Sequence, residues 1–318
     1  MRRPRTAALA LPGILVLALS ACTNASAADS SGAQPTGSQP AAGTPGTSDP
    51  AKAVPTETAG AAAKLVPAQV KAKGTLKVAM DASYAPFEYF DKDNKTIIGF
   101  DADLSKALGA KMGLKVQDVN TGFDTILAGL DSGKHDLGMS AFSVTPERTK
   151  AVDFVVYLDG GTGIAVPSGN PKGLTMDPKK LCGYTIAGQK GSIQGIDYLP
   201  KFSKQCQAAG KQPITIRLYP SQNEANLAVA SGRADAVMAD SISMAYQSKL
   251  SGGRFELAPG ADYVPTATGV ALPNGSALAP AISKAMKEVV ADGTMKKIMA
   301  KWGIPDQALG SDVAKVVR

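Results

Sequence analysis

An α/β fold with mostly parallel sheets is what this sequence predicts, and three features carry the prediction. Strand-like apolar runs alternate along the chain with stretches of helical period. The run Leu76-Lys77-Val78-Ala79-Met80 reads as a buried strand, and residues 101–112 follow as a helix with Leu104, Ala107, Leu108 and Met112 on one face. Once an N-terminal leader and linker are set aside, about 245 residues remain, enough for one large or two medium domains.

The elements continue in that alternation. Residues 123–130 read as a second helix, and 136–139 as a short strand. Residues 152–154 and 163–166 read as two strands separated by Gly160-Gly161-Thr162-Gly163. That glycine run is no dinucleotide-binding loop, because a strand follows it rather than a helix. Strands at 184–187, 214–219 and 236–238 enclose a helix at 223–231, and helices at 277–291 and 294–302 close the chain. In such folds ligands sit at the carboxyl ends of strands, beside helix N-termini.

The N-terminus carries processing signals. Arg2, Arg3 and Arg5 precede an apolar stretch of about 13 residues, too short to span a bilayer. Leu19-Ser20-Ala21-Cys22 resembles a lipobox, which makes residues 1–21 a signal peptide and Cys22 the lipidated first residue of the mature protein. Cleavage at another small residue is the alternative. Residues 22–72 are dominated by Ala, Ser, Thr, Gly and Pro and read as a disordered tether, since they lack the apolar surface to offset ordering entropy. The location implied is extracytoplasmic, on the outer face of the cell membrane.

Composition excludes other classes. The formal charge of +7 falls to +4 without the three leader arginines, the basic residues are scattered, and 5% of residues are aromatic. Nucleic acid is therefore not a partner. Beyond Cys22 the remaining pair, Cys182 and Cys206, suits a disulfide in an oxidising compartment, with two free thiols as the alternative. The lone histidine, His135, lies in a polar turn and reads as solvated, so neither a metal site nor a Ser-His-Asp set is expected. Asp101 and Asp103, at the start of a helix, read as capping and dipole residues rather than a catalytic pair. No cofactor is expected, and the absence of a GxxxxGK segment places any ATPase on a separate subunit.

Six segments in order then carry a resemblance: DASYAPFEY (81–89), GFDADL (99–104), FDTILAGLDSGKHDLGMSAFSVTPER (123–148), GQKGSIQ (188–194), GRADAVMAD (232–240) and DGTMKKIMAKWG (292–303). Over residues 74–305 the chain resembles the polar amino-acid-binding family of extracellular solute-binding proteins that feed ABC importers. The resemblance implies two lobes joined by two hinge strands, with lobe one formed by residues 73–159 and 268–318 and lobe two by 160–267. The implied crossings are Asp159-Gly160-Gly161 and residues 264–269. A monomer that delivers an amino acid to a membrane permease is the implied role. A dehydratase-type enzyme on the same fold and a sensory lipoprotein are the alternatives.

Site residues follow from the resemblance. Arg148 occupies the position that holds the ligand's α-carboxylate, a planar fork matching two oxygens, with backbone N–H groups at Ser143 and Ser192 beside it. Asp240 matches the counter-charge for the α-ammonium, with the Ser140 carbonyl and Ser143 hydroxyl as companions, and it is also placed to cap a helix. Asp81, Tyr84 and Phe123 match the positions that select the side chain. Two aromatic faces and a carboxylate suit a cationic side chain, with a polar amide as the nearest alternative. Ala141, Gly191 and Gln194 complete the set. Ala141 and Lys190 depart from the family's pattern, and a cleft-facing Lys190 would favour an acidic ligand instead.

Overall fold

The structure, a computed structural model, describes residues 59–260 and 262–318. The expected signal peptide, Cys22 and most of the expected tether lie outside the described residues. One ten-stranded sheet runs through the molecule in the order Lys115–Asn120, Thr75–Met80, Leu137–Gly138, Tyr263–Pro273, Val152–Pro167, Ala236–Asp240, Thr185–Gln189, Thr215–Tyr219. Both wings are parallel, as expected: Thr75–Met80 pairs with Lys115–Asn120 and Leu137–Gly138, and Thr185–Gln189 pairs with Thr215–Tyr219 and Ala236–Asp240. The centre is antiparallel instead, for a topological reason. The chain crosses from one lobe to the other along Val152–Pro167 and returns along Tyr263–Pro273, so the two crossing strands must run in opposite directions.

Residues 152–154 and 163–166 are thus ends of one 16-residue strand and not two strands. Pairing of Asp159 with Ala267 and Gly160 with Thr266 keeps the backbone extended through the glycines. The register slips on either side of this pairing, between Tyr263 and Thr266 and again between Thr268 and Gly269. Bulges there twist the strands where one lobe gives way to the other.

In lobe one the helix Phe100–Met112 packs on Ala279–Ala291 and Thr294–Trp302, burying Leu104, Leu108, Ile282, Met286 and Trp302. Asp103 fastens this contact, accepting from Lys301 Nζ at 2.7 Å and Trp302 Nε1 at 2.8 Å. It does not cap its helix, and neither does Asp101: Gly99 is the N-cap residue and no side chain bonds there. Both carboxylates remain in the first turn, where the helix dipole favours them. The C-terminal strand Val316–Val317 pairs with Val155 and Phe154, also in lobe one.

Two expectations are corrected. Residues 59–72 are not part of a disordered tether: Ala62–Leu65 and Ala68–Lys73 are helical and dock on lobe one. Alanine is the best helix former, and Ala62 and Val66 are buried against the lobe's helices. The Gly60 N–H donates to the Lys111 carbonyl at 2.9 Å, and the Ala62 N–H to Glu288 Oε1 at 3.1 Å. His135 is not solvated but 3% exposed, because the turn after Phe123–Asp131 folds its ring over Gly129, which has no side chain to exclude it. Burial and the nearby Lys134 and Lys77 push its pKa down, so the ring stays neutral.

In lobe two, Cys182 and Cys206 are bonded, with Cα atoms 5.5 Å apart, tying the turn before Thr185–Gln189 to the helix Leu199–Ala208. A cross-link over 24 residues stabilises by about 3 kcal/mol. Reducing the bond, or substituting Cys182→Ser, is expected to lower the calorimetric midpoint by roughly 6–12 °C. An unchanged midpoint under reductant would refute a stabilising role.

Candidate functional site

Arg148 opens the turn Arg148–Lys150 and points back into the seam between the lobes. Its guanidinium is buried, the residue being 9% exposed. Nη1 donates to the Ser143 carbonyl at 2.9 Å, and Nη2 reaches across the seam to the Gly191 carbonyl at 3.1 Å. Its carbon lies 5.3 Å from the Phe142 ring centre and 5.6 Å from that of Phe123, two rings stacked 4.7 Å apart. Burial lowers its pKa to about 10, which leaves it charged at neutral pH. Among the described residues no carboxylate pairs with it. A desolvated cation without a counter-charge is costly, and a bound anion removes that cost.

From lobe two comes the opposite charge. Asp240 ends the strand Ala236–Asp240 and caps the helix Ser241–Leu250, accepting from the Ile242 and Ser243 N–H groups at 2.9 and 3.1 Å. Capping and cleft-lining coexist in this one carboxylate. Burial raises its pKa to about 7 despite the two N–H bonds, with Asp262 and Asp101 adding to the rise. Tyr84 from lobe one closes over it, its hydroxyl accepting the Asp240 N–H at 2.9 Å.

These groups line one small cavity of about 20 Å³, room for little more than a water, so an amino acid enters only as its walls part. Phe123, Ser140, Ala141 and Ser143 line it from lobe one, and Ser192 and Gln194 from lobe two. Gln194 is held by a bond from its amide to Thr162 Oγ1 at 2.9 Å. The Ser192 N–H already donates to the Gln189 carbonyl at 3.2 Å.

Two of the expected residues stand back from the cavity. Asp81 is buried behind it, its carboxylate accepting from the Phe123 N–H at 3.0 Å and the Gln189 amide at 2.8 Å. Burial raises its pKa. Gly191 faces Asp124 of lobe one instead, with its carbonyl turned to Arg148. Lys190 is not a cleft residue: it pairs with Asp124 at 2.8 Å on the exposed rim. Gln189 and Ile193 line the cavity and were missed. Gln189 ends the strand Thr185–Gln189, so the rule that ligands gather at carboxyl strand ends pointed to it.

Further bonds span the seam. The Gln222 N–H donates to Ser83 Oγ at 3.2 Å, while Ser243 Oγ and Gln247 Nε2 both donate to the Ala85 carbonyl. The lobes are therefore shut on the cavity.

Two lobes closed on a small polar chamber, with opposite charges buried in its walls, define a binding protein for a small solute. Residues 76–305 match the sequence model of the bacterial extracellular solute-binding proteins, family 3, and the chain belongs to that family. It therefore works outside the cytoplasm. It is similar to the arginine-binding protein ArgT of Corynebacterium glutamicum, 35% identical over 77% of this chain and 79% of that one. Among solved structures it is similar to an ancestral arginine-binding protein bound to arginine, at 32% identity and TM-score 0.64, covering 72% of this chain and 98% of that one. It is also similar to an ancestral amino acid-binding protein described as a precursor of cyclohexadienyl dehydratase, at 33% identity and TM-score 0.65, covering 74% and 97%.

Proposed function

We propose that this protein captures an amino acid with a cationic side chain and delivers it to an ABC importer. A lipid on Cys22 would hold it at the membrane, and it would act as a monomer. The permease and the ATPase are separate chains in this reading. One observation carries it: the guanidinium of Arg148, with no carboxylate partner among the described residues, and the carboxylate of Asp240 line the same shut cavity from opposite lobes. A zwitterion satisfies both at once, and by bridging the lobes it favours the closed state over the open one.

The side chain is assigned by charge. Asp81 and Asp101 are buried behind the cleft and the half-buried Asp240 lines it, whereas Lys190, the residue that favoured an acidic ligand, is engaged by Asp124 outside it. Tyr84 and Phe123 add aromatic surface. The arginine named for the relatives above agrees with this assignment. A thermal-shift screen of the twenty amino acids and ornithine tests it, followed by calorimetry on the hits. Arginine, lysine or ornithine should give the largest shift. An acidic winner would overturn the cationic assignment, and a flat panel the binding role itself.

Binding carries a pH signature. Asp240 must be ionised to pair with the ammonium, and in the empty site it titrates near 7. The bound ammonium lowers that value, so binding releases the carboxyl proton. Affinity is therefore full above about pH 7 and weakens as pH falls below it, by up to about tenfold per unit, until the pKa of the bound state is passed. Calorimetry from pH 8 to 5.5 measures the slope, and Asp240→Asn should flatten it. A slope that survives Asp240→Asn assigns the proton elsewhere.

An enzyme reading has one point in its favour, since Asp240 supplies the acid of raised pKa that the sequence alone did not reveal. Its two helix N–H bonds suit a fixed carboxylate better than a proton donor, so we assign no catalysis. Turnover of prephenate or arogenate by the purified protein would reverse that.

A further inference from the structure

Behind Ser140 and Ala141, two carboxyl groups of lobe one are wholly buried in contact with each other. Glu88 lies on the short strand Glu88–Phe90, and Asp101 in the first turn of Phe100–Met112. Glu88 Oε1 accepts the Ser140 hydroxyl at 2.6 Å. Asp101 Oδ2 accepts the Ala141 N–H and the Tyr157 hydroxyl, both at 2.9 Å. The other two oxygens, Glu88 Oε2 and Asp101 Oδ1, have no donor from any other group among the described residues. The two side chains lie close enough to act on each other's charge, and neither has an ion-pair partner among the described residues.

Two touching carboxylates cannot both ionise in such a place. One proton between them satisfies both orphan oxygens. Its owner follows from the remaining partners: Asp101 accepts two donors that stabilise its charge, and Glu88 only one. The other titratable groups facing the pair are Asp81, Tyr84, Tyr157 and Asp240. Each is neutral or acidic, so none competes to deprotonate Glu88. Burial and the Asp101 charge raise Glu88 well above the usual carboxyl range, and burial raises Asp101 to about 7.

The pair grips one turn of the site from both sides. Ser140 Oγ accepts the Asp81 N–H at 3.1 Å while donating to Glu88, and Ala141 sits at φ 46°, a left-handed conformation that a residue with a Cβ adopts only when its surroundings hold it there. We propose that Glu88 and Asp101 share a single proton, held by Glu88, and that together they are the positioning pair that fixes the Ser140–Ala141 turn against the ligand's ammonium. The one negative charge left on Asp101 stays behind the turn, from where it helps raise the pKa of Asp240. The positioning role rests on the amino-acid reading above, whereas the shared proton does not depend on it.

The test has two arms, both on the intact protein. Infrared spectroscopy without ligand at pH 7.5 should show a protonated-carboxyl band that is lost in Glu88→Gln; if that variant does not fold, ¹³C-carboxyl glutamate should shift the band in the wild type. No such band overturns the shared proton whether or not any amino acid binds. Calorimetry with L-arginine forms the second arm. Glu88→Gln mimics the protonated acid and should bind within about fivefold of wild type, whereas Asp101→Asn should weaken binding by about tenfold or more. A larger loss in Glu88→Gln overturns the neutral Glu88, and wild-type affinity in Asp101→Asn overturns the positioning role.

Discussion

Replacing Arg148 with alanine is expected to weaken amino-acid binding by about three orders of magnitude while the protein stays folded. Removing one partner of a buried, charge-assisted pair costs about 3–5 kcal/mol, since the other charge is left stranded in the cleft. The fold should survive, because among the described residues the Arg148 side chain hydrogen-bonds only to the Ser143 and Gly191 carbonyls. Both carbonyls are at the seam, where water entering an open cleft can replace the guanidinium. Arg148→Lys separates charge from shape: it keeps the cation but loses the planar fork, so its affinity should fall between the two. Calorimetry with L-arginine and a melting curve for each variant decide the matter. Wild-type affinity in Arg148→Ala would remove this residue from the site.

Substituting Gly191→Val should cost about a hundredfold in affinity by a different route. Gly191 has φ +80°, and a Cβ there would lie 2.9 Å from Asp124 Cβ and 3.0 Å from Asp124 Cα in the opposite lobe. Strain at such a position costs about 1–3 kcal/mol, and the collision with backbone adds to it only when the lobes are shut. The variant therefore shifts the population toward open forms, and apparent affinity falls with the fraction able to close. Solution scattering with saturating L-arginine should show wild type contracting and Gly191→Val remaining expanded. Gly232→Val is the control, with φ +71° and nothing within 4 Å, so it carries the strain without the collision. Equal losses in both variants would mean that closure is not what Gly191 permits.

What the sequence disclosed followed local rules. The strand Thr75–Met80, the helix Phe100–Met112 and the cap at Asp240 each announce themselves by periodicity or residue type within a few positions. Arg148, Tyr84 and Asp240 were legible because motif order places them at element ends. The return strand Tyr263–Pro273 was expected only through the resemblance, as a crossing at 264–269, since Pro265 interrupts it and its exposure does not alternate. Helix Ser241–Leu250 was announced only by its cap, because three serines and a short apolar content give it no clear face. Asp81 could not be placed by local reasoning at all. Whether its carboxylate meets a ligand or a neighbour depends on Gln189, 108 residues away on the other lobe. His135 shows the same limit, as polar neighbours in sequence said nothing of the bare Gly129 backbone beneath its ring.

The docked segment at residues 59–73 and the closing strand Val316–Val317 both belong to lobe one. Lobe two is thus an insertion with no chain end of its own among the described residues. A pull arriving along the chain from upstream therefore enters lobe one first. The crossing strands Val152–Pro167 and Tyr263–Pro273 lie beyond that point of entry, so such a pull reaches the clamp only through the body of lobe one.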